Sequence, residues 1–229
     1  MADELNSFLS QLYGPDPFAG VYDASEAHRA EHGLSLPGGE QECGVYPSNQ
    51  LKMRVIVSIV RASRAERILE IGGGLGYSAL WLASATGTTG HLETIDRYPE
   101  HIAELNRFTK QHGLGDRITP IAGEGDVLLS GLQGPYDVIH DDGWFAKQPA
   151  YYERMIELLS PGGLLIMSNW FLLEHAVTGE SPVDWPLFAG DRWDQDIKEY
   201  AETLARDTRL DVSFVPHPAF ALALKRANA

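Results

Sequence analysis

The densest chemical signal in the sequence is an acidic residue followed by four glycines, in the stretch Glu70-Ile71-Gly72-Gly73-Gly74-Leu75-Gly76. Glycine is costly to order, so this density indicates a place where the backbone turns sharply or comes close to another group. An apolar, β-rich run precedes the stretch and a helix-forming run follows it. Backbone N–H groups and the positive end of a helix would therefore surround a concave turn, which suits an anionic or carboxylate-bearing ligand.

Two ligand classes compete for this turn, dinucleotides and S-adenosylmethionine. The dinucleotide fingerprint requires Gly-x-Gly-x-x-Gly. Counted from Gly72, its third glycine would fall on Tyr77, and counted from Gly74 it would fall on Ala79, so the fingerprint fails in both registers. An acid with glycines two, four and six residues later resembles instead motif I of the class I, S-adenosylmethionine-dependent methyltransferases. A tight turn without a ligand is the remaining interpretation.

Two further segments would complete a nucleoside site. Asp96 ends the second predicted strand, 20 residues after Gly76, where a carboxylate can accept both ribose hydroxyls. Taken alone, an aspartate at a strand end also fits a helix cap. Gly123-Glu124-Gly125 follows the third predicted strand, where glycines allow adenine to approach and Glu124 could accept from its amine, with an ordinary turn as the alternative.

Alternating strands and helices position these groups. The predicted strands cover 67–71, 91–95, 118–122, 136–140 and 163–168, and the predicted helices between them cover 77–86, 99–113 and 148–163. This alternation predicts βαβ units with right-handed crossovers and a parallel sheet. A further amphipathic helix at 196–207 precedes two strands, 210–215 and 220–226, whose hairpin would make the sheet mixed.

One domain is the simplest organisation. Residues 1–65 are predicted to form a helical cap and residues 66–229 the core. The aromatic segment at about 170–193 is predicted to be a lid-like insertion over a flat acceptor, and packing in the core or at a dimer contact is the alternative. Its rings are Trp170, Phe171, Trp185, Phe188 and Trp193.

Composition narrows the partners. The 229 residues carry a net charge of −14, which disfavours nucleic acid and anionic membrane surfaces and leaves a small molecule as the expected partner. No apolar run approaches the roughly 20 residues of a membrane span, and the first residues do not resemble a secretory signal. The single cysteine, Cys43, suits a reducing compartment, so a cytoplasmic location is expected.

Five segments together carry a family resemblance. They are RILEIGGGLGYSALWLA, GHLETIDRYPEHIAELNRF, YDVIHDDGW, YYERMIELLSPGGLLIMSNW and DVSFVPHPAFALALKR. Over residues 45–226 the chain resembles the catechol/caffeoyl-CoA-type O-methyltransferases. The resemblance implies a Rossmann-like α/β fold with a seven-stranded mixed sheet, a reversed C-terminal hairpin and helices on both faces. It also implies methyl transfer from S-adenosylmethionine to a hydroxyl of a small, aromatic or catechol-like acceptor, and homodimers are common among such relatives.

The resemblance also implies cofactor contacts. Ser78 would bind the methionine carboxylate, Glu70 the methionine amine, and Trp144 would lie against the adenine. The full set of predicted cofactor residues is Tyr46, Glu70, Gly72, Gly74, Gly76, Tyr77, Ser78, Asp96, Arg97, Gly123, Glu124, Gly125, Asp142 and Trp144.

A divalent metal site is implied by the family, and the sequence departs from the pattern there. Family members use a cation, usually Mg²⁺, to hold two oxygens of a vicinal diol and lower a hydroxyl pKa. Asp142 and Asn169 match two metal ligands, but Ser168 stands where a second acid is expected. Phe145 replaces the lysine often invoked as general base. One carboxylate fewer weakens the expected Mg²⁺ binding.

Other residues could replace the missing base. His140 precedes Asp142 by two positions, so strand alternation points both side chains to the same side. His175 lies just past the fifth strand, and Lys147 lies two positions from the lost lysine. The predicted catalytic residues are Asp142, His140 and His175, although each histidine also fits a structural hydrogen-bonding role.

Two further functions fit the pattern. One is methylation of a tRNA wobble-uridine hydroxyl or carboxylate, against which the net charge argues. The other is a regulatory protein that binds the cofactor without turnover, which Ser168 and Phe145 motivate and the intact Asp142 argues against.

Overall fold

A computed structural model describes residues 8–9, 11–32, 45–143, 149–168, 170–179, 192–216 and 218–228 of the chain. Its helices are α1 (Ala19–His32), α2 (Gln50–Ser63), α3 (Tyr77–Ala85), α4 (Pro99–Gln111), α5 (Gly125–Leu129), α6 (Pro149–Leu158), α7 (Phe171–Thr178) and α8 (Trp193–Arg206). Its strands are β1 (Arg67–Ile71), β2 (His91–Asp96), β3 (Ile118–Ala122), β4 (Tyr136–Asp141), β5 (Leu159–Met167), β6 (Leu210–Val215) and β7 (Phe220–Lys225). Among these described elements, no helix has both the length and the apolar character needed to cross a bilayer.

The strands form a seven-stranded mixed sheet in the order β3-β2-β1-β4-β5-β7-β6. Strands β1 to β5 pair in parallel, while β7 runs antiparallel to both β5 and β6. This confirms the predicted α/β fold class and its reversed C-terminal hairpin. The strand order reverses direction beside β1, and ligands of open α/β sheets bind in the crevice at such a point.

Each face of the sheet is covered by helices, because successive side chains along a strand point to opposite faces. One face packs against α2 and α3 through Ile68, Leu92, Val138 and Ile166. The other packs against α6 and α8 through Leu69, Ile95, Ile139 and Leu165. Because helices cover both faces, we expect a ligand to bind at the carboxyl ends of the parallel strands, between the loops that follow them.

Two predicted boundaries differ from the structure. The helix predicted over 148–163 ends at Leu158, and β5 begins at Leu159 instead of residue 163. Gly162 has a φ of +79°, and the pairing of β4 with β5 shifts register between Tyr136 and Val138. The Pro-Gly-Gly run therefore belongs to an irregular strand start instead of a helix end, since glycine permits the bulged backbone.

Trp170 packs in the core of the described structure. Its ring stacks on Tyr200 at a centroid distance of 5.9 Å and meets Phe214 edge-on at 5.1 Å. Helix α7 begins at the next residue, so part of the segment predicted as an insertion is regular structure. Residues 180–191, which include Trp185 and Phe188, lie outside the described residues, and the lid stays a prediction.

The N-terminal helices contact α3. Phe18 packs edge-on against Trp81 at a centroid distance of 5.5 Å, and the Tyr77 hydroxyl donates to Asp16 at 2.5 Å. Helix α2 ends with Arg64 in the left-handed conformation, whose N–H closes the last turn. The contacts of Phe18 and Asp16 hold the N-terminal segment against α3, the helix that follows the glycine-rich turn.

Candidate active site

The glycine-rich loop between β1 and α3 is held tightly by the protein itself. Gly72 has a φ of +91°, and a Cβ atom there would lie 3.0 Å from the backbone carbonyl of Asp142. A Cβ atom on Gly73 would collide with the Oγ1 atom of Thr94. Both glycines are therefore required by neighbouring protein atoms, whether or not a ligand is bound.

The remaining loop glycines differ in the space around them. Gly76 has a φ of +101°, and a Cβ atom there would lie 2.9 Å from the Cγ atom of Leu105. A Cβ atom on Gly74 would meet only Val45, at an ordinary 3.5 Å. Gly74 is thus the loop glycine whose surroundings leave room for a ligand.

Asp96 connects the end of β2 to this loop. Its Oδ2 atom accepts from the Gly74 N–H at 2.8 Å, and its Oδ1 atom accepts from the Tyr98 N–H at 3.0 Å. The Nδ1 atom of His101 lies 2.9 Å from the same Oδ1 atom. The structure therefore brings together the predicted ribose carboxylate and the glycine loop in one hydrogen-bonded unit.

His101 was missed by the sequence analysis. It is almost fully buried on the face of α4 that also carries Leu105 and Phe108. The spacing of four and seven residues along α4 was the available signal, because it places the imidazole on the apolar side.

The segment after β3 also joins this edge of the sheet. The Gly123 N–H donates to the Asp96 carbonyl at 2.9 Å, and a Cβ atom on Gly125 would lie 2.9 Å from the Cγ2 atom of Ile71. Gly125 begins the short helix α5. The predicted adenine segment therefore adjoins the ends of β1 and β2, as a nucleoside site requires.

A row of buried polar side chains crosses the sheet beneath the loop. Glu70 is paired in register with Thr94 on β2 and with His140 on β4, so the three side chains lie on one face. The Thr94 hydroxyl donates to Glu70 Oε2 at 2.7 Å, and His140 Nδ1 lies 3.2 Å from Glu70 Oε1. On the far side, His140 Nε2 lies 3.0 Å from the Ser168 hydroxyl oxygen. All four residues are fully buried.

The chemistry of Glu70 determines which groups in this row donate hydrogen bonds to it. An ionised carboxylate only accepts, so Glu70 takes hydrogen bonds from Thr94 and from His140 Nδ1–H. The Nε2 atom of His140 contacts the Ser168 hydroxyl on the other side of the ring. His140 lies on the side of Asp142 that strand alternation predicts, but it has no exposed surface, so it can act on a ligand only through its neighbours.

Lys52 brings a positive charge to the same edge. It lies in the first turn of α2, where its N–H donates to the Asn49 side chain at 2.9 Å, and only 9% of the residue is exposed. No hydrogen bond of its ammonium group is found within the described parts of the chain. Burial lowers the pKa of Lys52, and the negative charge of Asp142 acts against that shift.

Asp142 follows β4, and its charge interacts with that of Lys52. Burial of its carboxyl group raises its pKa, and the charge of Lys52 is the first influence that opposes the rise. His140 also lowers the pKa of Asp142, whereas the neighbouring Glu70 raises it. Burial therefore shifts the pKa of each group towards its neutral form, and the opposite charge of the other group acts against that shift.

The sequence carried a signal for Lys52 that went unused. Lys52, Ile56 and Val60 are spaced by four residues in α2, and the latter two belong to the core. A lysine in register with an apolar stripe indicates a buried cation or a side chain that reaches past the stripe to solvent.

The other predicted cofactor residues lie on several elements around the glycine loop. Ser78 is buried in the first turn of α3, directly after the loop. Arg97 and Glu124, after β2 and β3, form an ion pair of 2.9 Å. Tyr46 is partly exposed, with the Arg29 guanidinium 5.6 Å from its ring centre. Tyr77 is directed elsewhere, because its hydroxyl binds Asp16 of the N-terminal segment.

Several predicted residues are not brought to the site by the described structure. His175 lies on α7, where its ring meets Phe171 edge-on at 6.1 Å, and no interaction in the described residues joins it to Asp142. Trp144, Asn169, Phe145 and Lys147 lie outside the described residues.

The residues that are described do not fit a divalent cation. They contain no group of three histidine, cysteine, aspartate or glutamate side chains able to hold a metal ion. Ser168, in the place of the expected acid, carries no charge, and its hydroxyl is bound to His140. The charge of the Lys52 ammonium group, which acts on Asp142, would also repel a cation. No catalytic step is therefore assigned to Mg²⁺.

A doubly covered mixed sheet with a glycine loop linked to a carboxylate at the end of β2 defines the class of Rossmann-like methyltransferases. The sequence matches the O-methyltransferase family over residues 37–225, and the chain belongs to this family. The family resemblance and the enzyme class expected from the sequence, an S-adenosylmethionine-dependent O-methyltransferase, are thereby confirmed.

Similar proteins agree with this membership. A relative from Mycobacterium sp. (strain JLS), assigned by name to the O-methyltransferases, is 32% identical over 160 residues, which are 69% of each chain. The O-methyltransferase from Bacillus cereus, solved with S-adenosylhomocysteine, covers 97% of both chains at 21% identity and a TM-score of 0.79. The O-methyltransferase TomG from Streptomyces achromogenes, solved with S-adenosylmethionine, covers 97% of this chain and 96% of its own at 23% identity and a TM-score of 0.77. The two solved structures share the fold.

Proposed function

We propose that this protein transfers the methyl group of S-adenosylmethionine to a hydroxyl of a small aromatic acceptor, with catechols and phenols as its candidate substrates. The observation that carries the proposal is the 2.8 Å hydrogen bond between Asp96 and the Gly74 N–H. It joins the two elements that would hold the sugar and the amino-acid part of the donor. The donors bound in the solved structures of related fold support the same choice.

The residues of the chain have mainly a positioning task in this reaction. S-adenosylmethionine supplies a methyl group that its sulfonium charge already activates. Gly74, whose surroundings are open, would bind the methionine part, and the Asp96 carboxylate, which is bonded to Gly74, would accept from the ribose hydroxyls. We expect the acceptor oxygen to meet the methyl group near Asp142, whose backbone lies beside Gly72. Holding the two reactants in line supplies most of the rate enhancement that such a transfer requires.

Charge supports a small acceptor over a nucleic acid. With a net charge of −14, the chain would repel a phosphate backbone. We place the whole chain in one cytoplasmic methyltransferase domain, in which α1 and α2 form the N-terminal cap and two copies pair as a homodimer.

Binding and turnover experiments test the proposal. Calorimetry should show binding of S-adenosylhomocysteine and none of NADH, and labelled S-adenosylmethionine should transfer its methyl group to members of a panel of catechols and phenols. Binding of NADH in its place would overturn the assignment. Methylation of a tRNA whose wobble uridine carries a hydroxyl or carboxylate group would replace it with the RNA-modifying function. Cofactor binding without methylation of any hydroxyl would replace it with the regulatory function.

A further inference from the structure

The cluster formed by Lys52 and Asp142 lies at the edge of the sheet where the acceptor must bind. Val45, just before α2, contacts the Gly74 position, so α2 begins beside the loop. Asp142 contacts the loop from the other side through Gly72. The buried lysine, the acid and the open glycine therefore share one end of the sheet.

The charges of this cluster differ from those of a metal site. Glu70 and Asp142 are acids on the α2 side of the sheet, and Glu70 is already satisfied by Thr94 and His140. Lys52 is the cation that acts most strongly on Asp142. A buried ammonium group without a hydrogen-bond partner is costly, so this lysine has donors available for a ligand.

Ser168, in place of an acid, reduces the negative charge that a divalent metal ion would otherwise neutralise at this site. Its hydroxyl is hydrogen-bonded to His140, so the row from Ser168 to Thr94 is satisfied internally. An acid at this position would add a further negative charge to a site where Glu70 and Asp141 already act on Asp142. With serine there, one positive charge from Lys52 balances one negative charge from Asp142.

From these contacts we infer that the acceptor site works without a divalent cation and that the Lys52 ammonium group holds the acceptor oxygen as it loses its proton. This inference rests on the proposed function. The proton leaves to solvent, and the electron pair of the oxygen forms the new bond to the methyl carbon. The pair of the broken sulfur–methyl bond stays on sulfur, so the products are a methyl ether, S-adenosylhomocysteine and a proton.

The substrate class follows from the number of oxygens held. A metal ion chelates two neighbouring oxygens, whereas one ammonium group needs only one oxyanion. The acceptor is therefore an aromatic compound with a single acidic hydroxyl, and a vicinal second hydroxyl is not required.

Binding of para-nitrophenol to the complex with S-adenosylhomocysteine tests the role of Lys52 without turnover. The bound phenolate is followed by its visible absorbance in the wild type, Lys52→Met, Lys52→Arg and the exposed control Lys110→Met. We expect Lys52→Met to weaken phenolate binding by about tenfold to a hundredfold. Lys52→Arg should retain part of the affinity and Lys110→Met all of it. S-adenosylhomocysteine affinity should stay within about twofold in all variants, which shows that they fold.

A second measurement tests the absence of a cation. Titration of Mn²⁺ into the same complex, followed by electron paramagnetic resonance, should show no stoichiometric site, and methylation of phenols should persist in excess EDTA. Stoichiometric Mn²⁺ binding, or phenolate binding unchanged in Lys52→Met, would overturn the inference. A Lys52→Met variant that loses S-adenosylhomocysteine instead would assign the lysine to the donor and overturn it as well. Failure to methylate any acceptor would count against the proposed function, while the phenolate titration still reports on Lys52.

Discussion

The Nε2 atom of His140 lies 3.0 Å from the hydroxyl oxygen of Ser168, and this contact closes a buried polar row that runs from β5 to β2. The row passes under the glycine loop, where Gly73 leaves no room for a side chain beside Thr94. Buried polar groups are tolerated when each is satisfied, and they then favour one arrangement of the core. The row thus connects the part of the site near Asp142, where the methyl acceptor is expected, to the glycine loop, where the methyl donor is expected.

Replacement of His140 should destabilise the fold more than replacement of Ser168. In His140→Phe, the fully buried Glu70 loses one of its two partners, so we expect a loss of about 2–4 kcal/mol in the free energy of unfolding. In Ser168→Ala, one neutral hydrogen bond is lost, at about 1 kcal/mol. Urea denaturation measures both values.

The matched control for His140→Phe is His91→Phe. His91 lies at the start of β2, is only partly buried and bonds to Thr119 at 2.9 Å, so the same chemical change should alter stability by about 0.5 kcal/mol or less. Equal stabilities of His140→Phe and the wild type would show that the buried row is not a structural requirement.

Asp96→Asn should weaken binding of S-adenosylhomocysteine by about tenfold to a hundredfold. The amide keeps the shape of the side chain, but its NH₂ group cannot accept from the Gly74 N–H or from ribose hydroxyls. Calorimetry measures the affinity, and Asp116→Asn, an exposed aspartate in the turn before β3, is the control. An unchanged dissociation constant in Asp96→Asn would remove the carboxylate from the donor site.

The parts of this arrangement that depend on residues close together in the sequence were predictable, and the parts that depend on contacts between distant strands were not. The turn from Glu70 to Gly76 and the strand end at Asp96 are signalled by neighbours a few residues away, and the structure brings them together. The partnership of His140 with Glu70 depends on the register between two strands separated by 70 residues, which alternation alone does not fix. The spacing within α2 indicates that Lys52 is buried, but its electrostatic influence on Asp142 depends on the packing of two distant elements.

The glycines of the loop between β1 and α3 are required for different physical reasons. Their number predicted a close approach by some group, and the sequence suggested a ligand. In the structure, Gly72, Gly73 and Gly76 are crowded by protein atoms, and Gly74 is the open position. A pattern of glycines indicates where no side chain can be accommodated. Only the packing shows which neighbouring atoms exclude the side chain.

Gly73→Ala should disrupt the loop from within. The added methyl group would collide with Thr94 Oγ1 and lie 3.2 Å from Leu105, so we expect about 1–3 kcal/mol of destabilisation and weaker S-adenosylhomocysteine binding. Gly87→Ala is the control, because nothing lies within 4 Å of its Cβ position. Thermal unfolding and calorimetry measure the two effects.

A double variant locates the cause of that destabilisation. Thr94→Ala removes the atom that the new methyl group would meet, so Gly73→Ala should cost less in the Thr94→Ala background than in the wild type. Additive costs would mean that the loop, and not Thr94, rejects the methyl group.

Asp207 should make stability depend on pH at the end of α8. Its carboxylate accepts from Arg209 at 2.6 Å and from the Tyr152 hydroxyl at 2.5 Å, and these hydrogen bonds, led by that of Arg209, lower its pKa to about 2. Because the folded pKa lies below the unfolded one, the stabilisation is complete above about pH 4 and is lost as the pH falls towards 2. Asp207→Asn should therefore cost at most about 2 kcal/mol at neutral pH, and the difference from the wild type should shrink steadily below pH 4. Denaturation as a function of pH measures this, with Asp211→Asn, in an exposed ion pair with Arg226, as a control expected to show little change at any pH. A difference that persists undiminished at pH 2 would assign the effect of Asp207 to packing instead of charge.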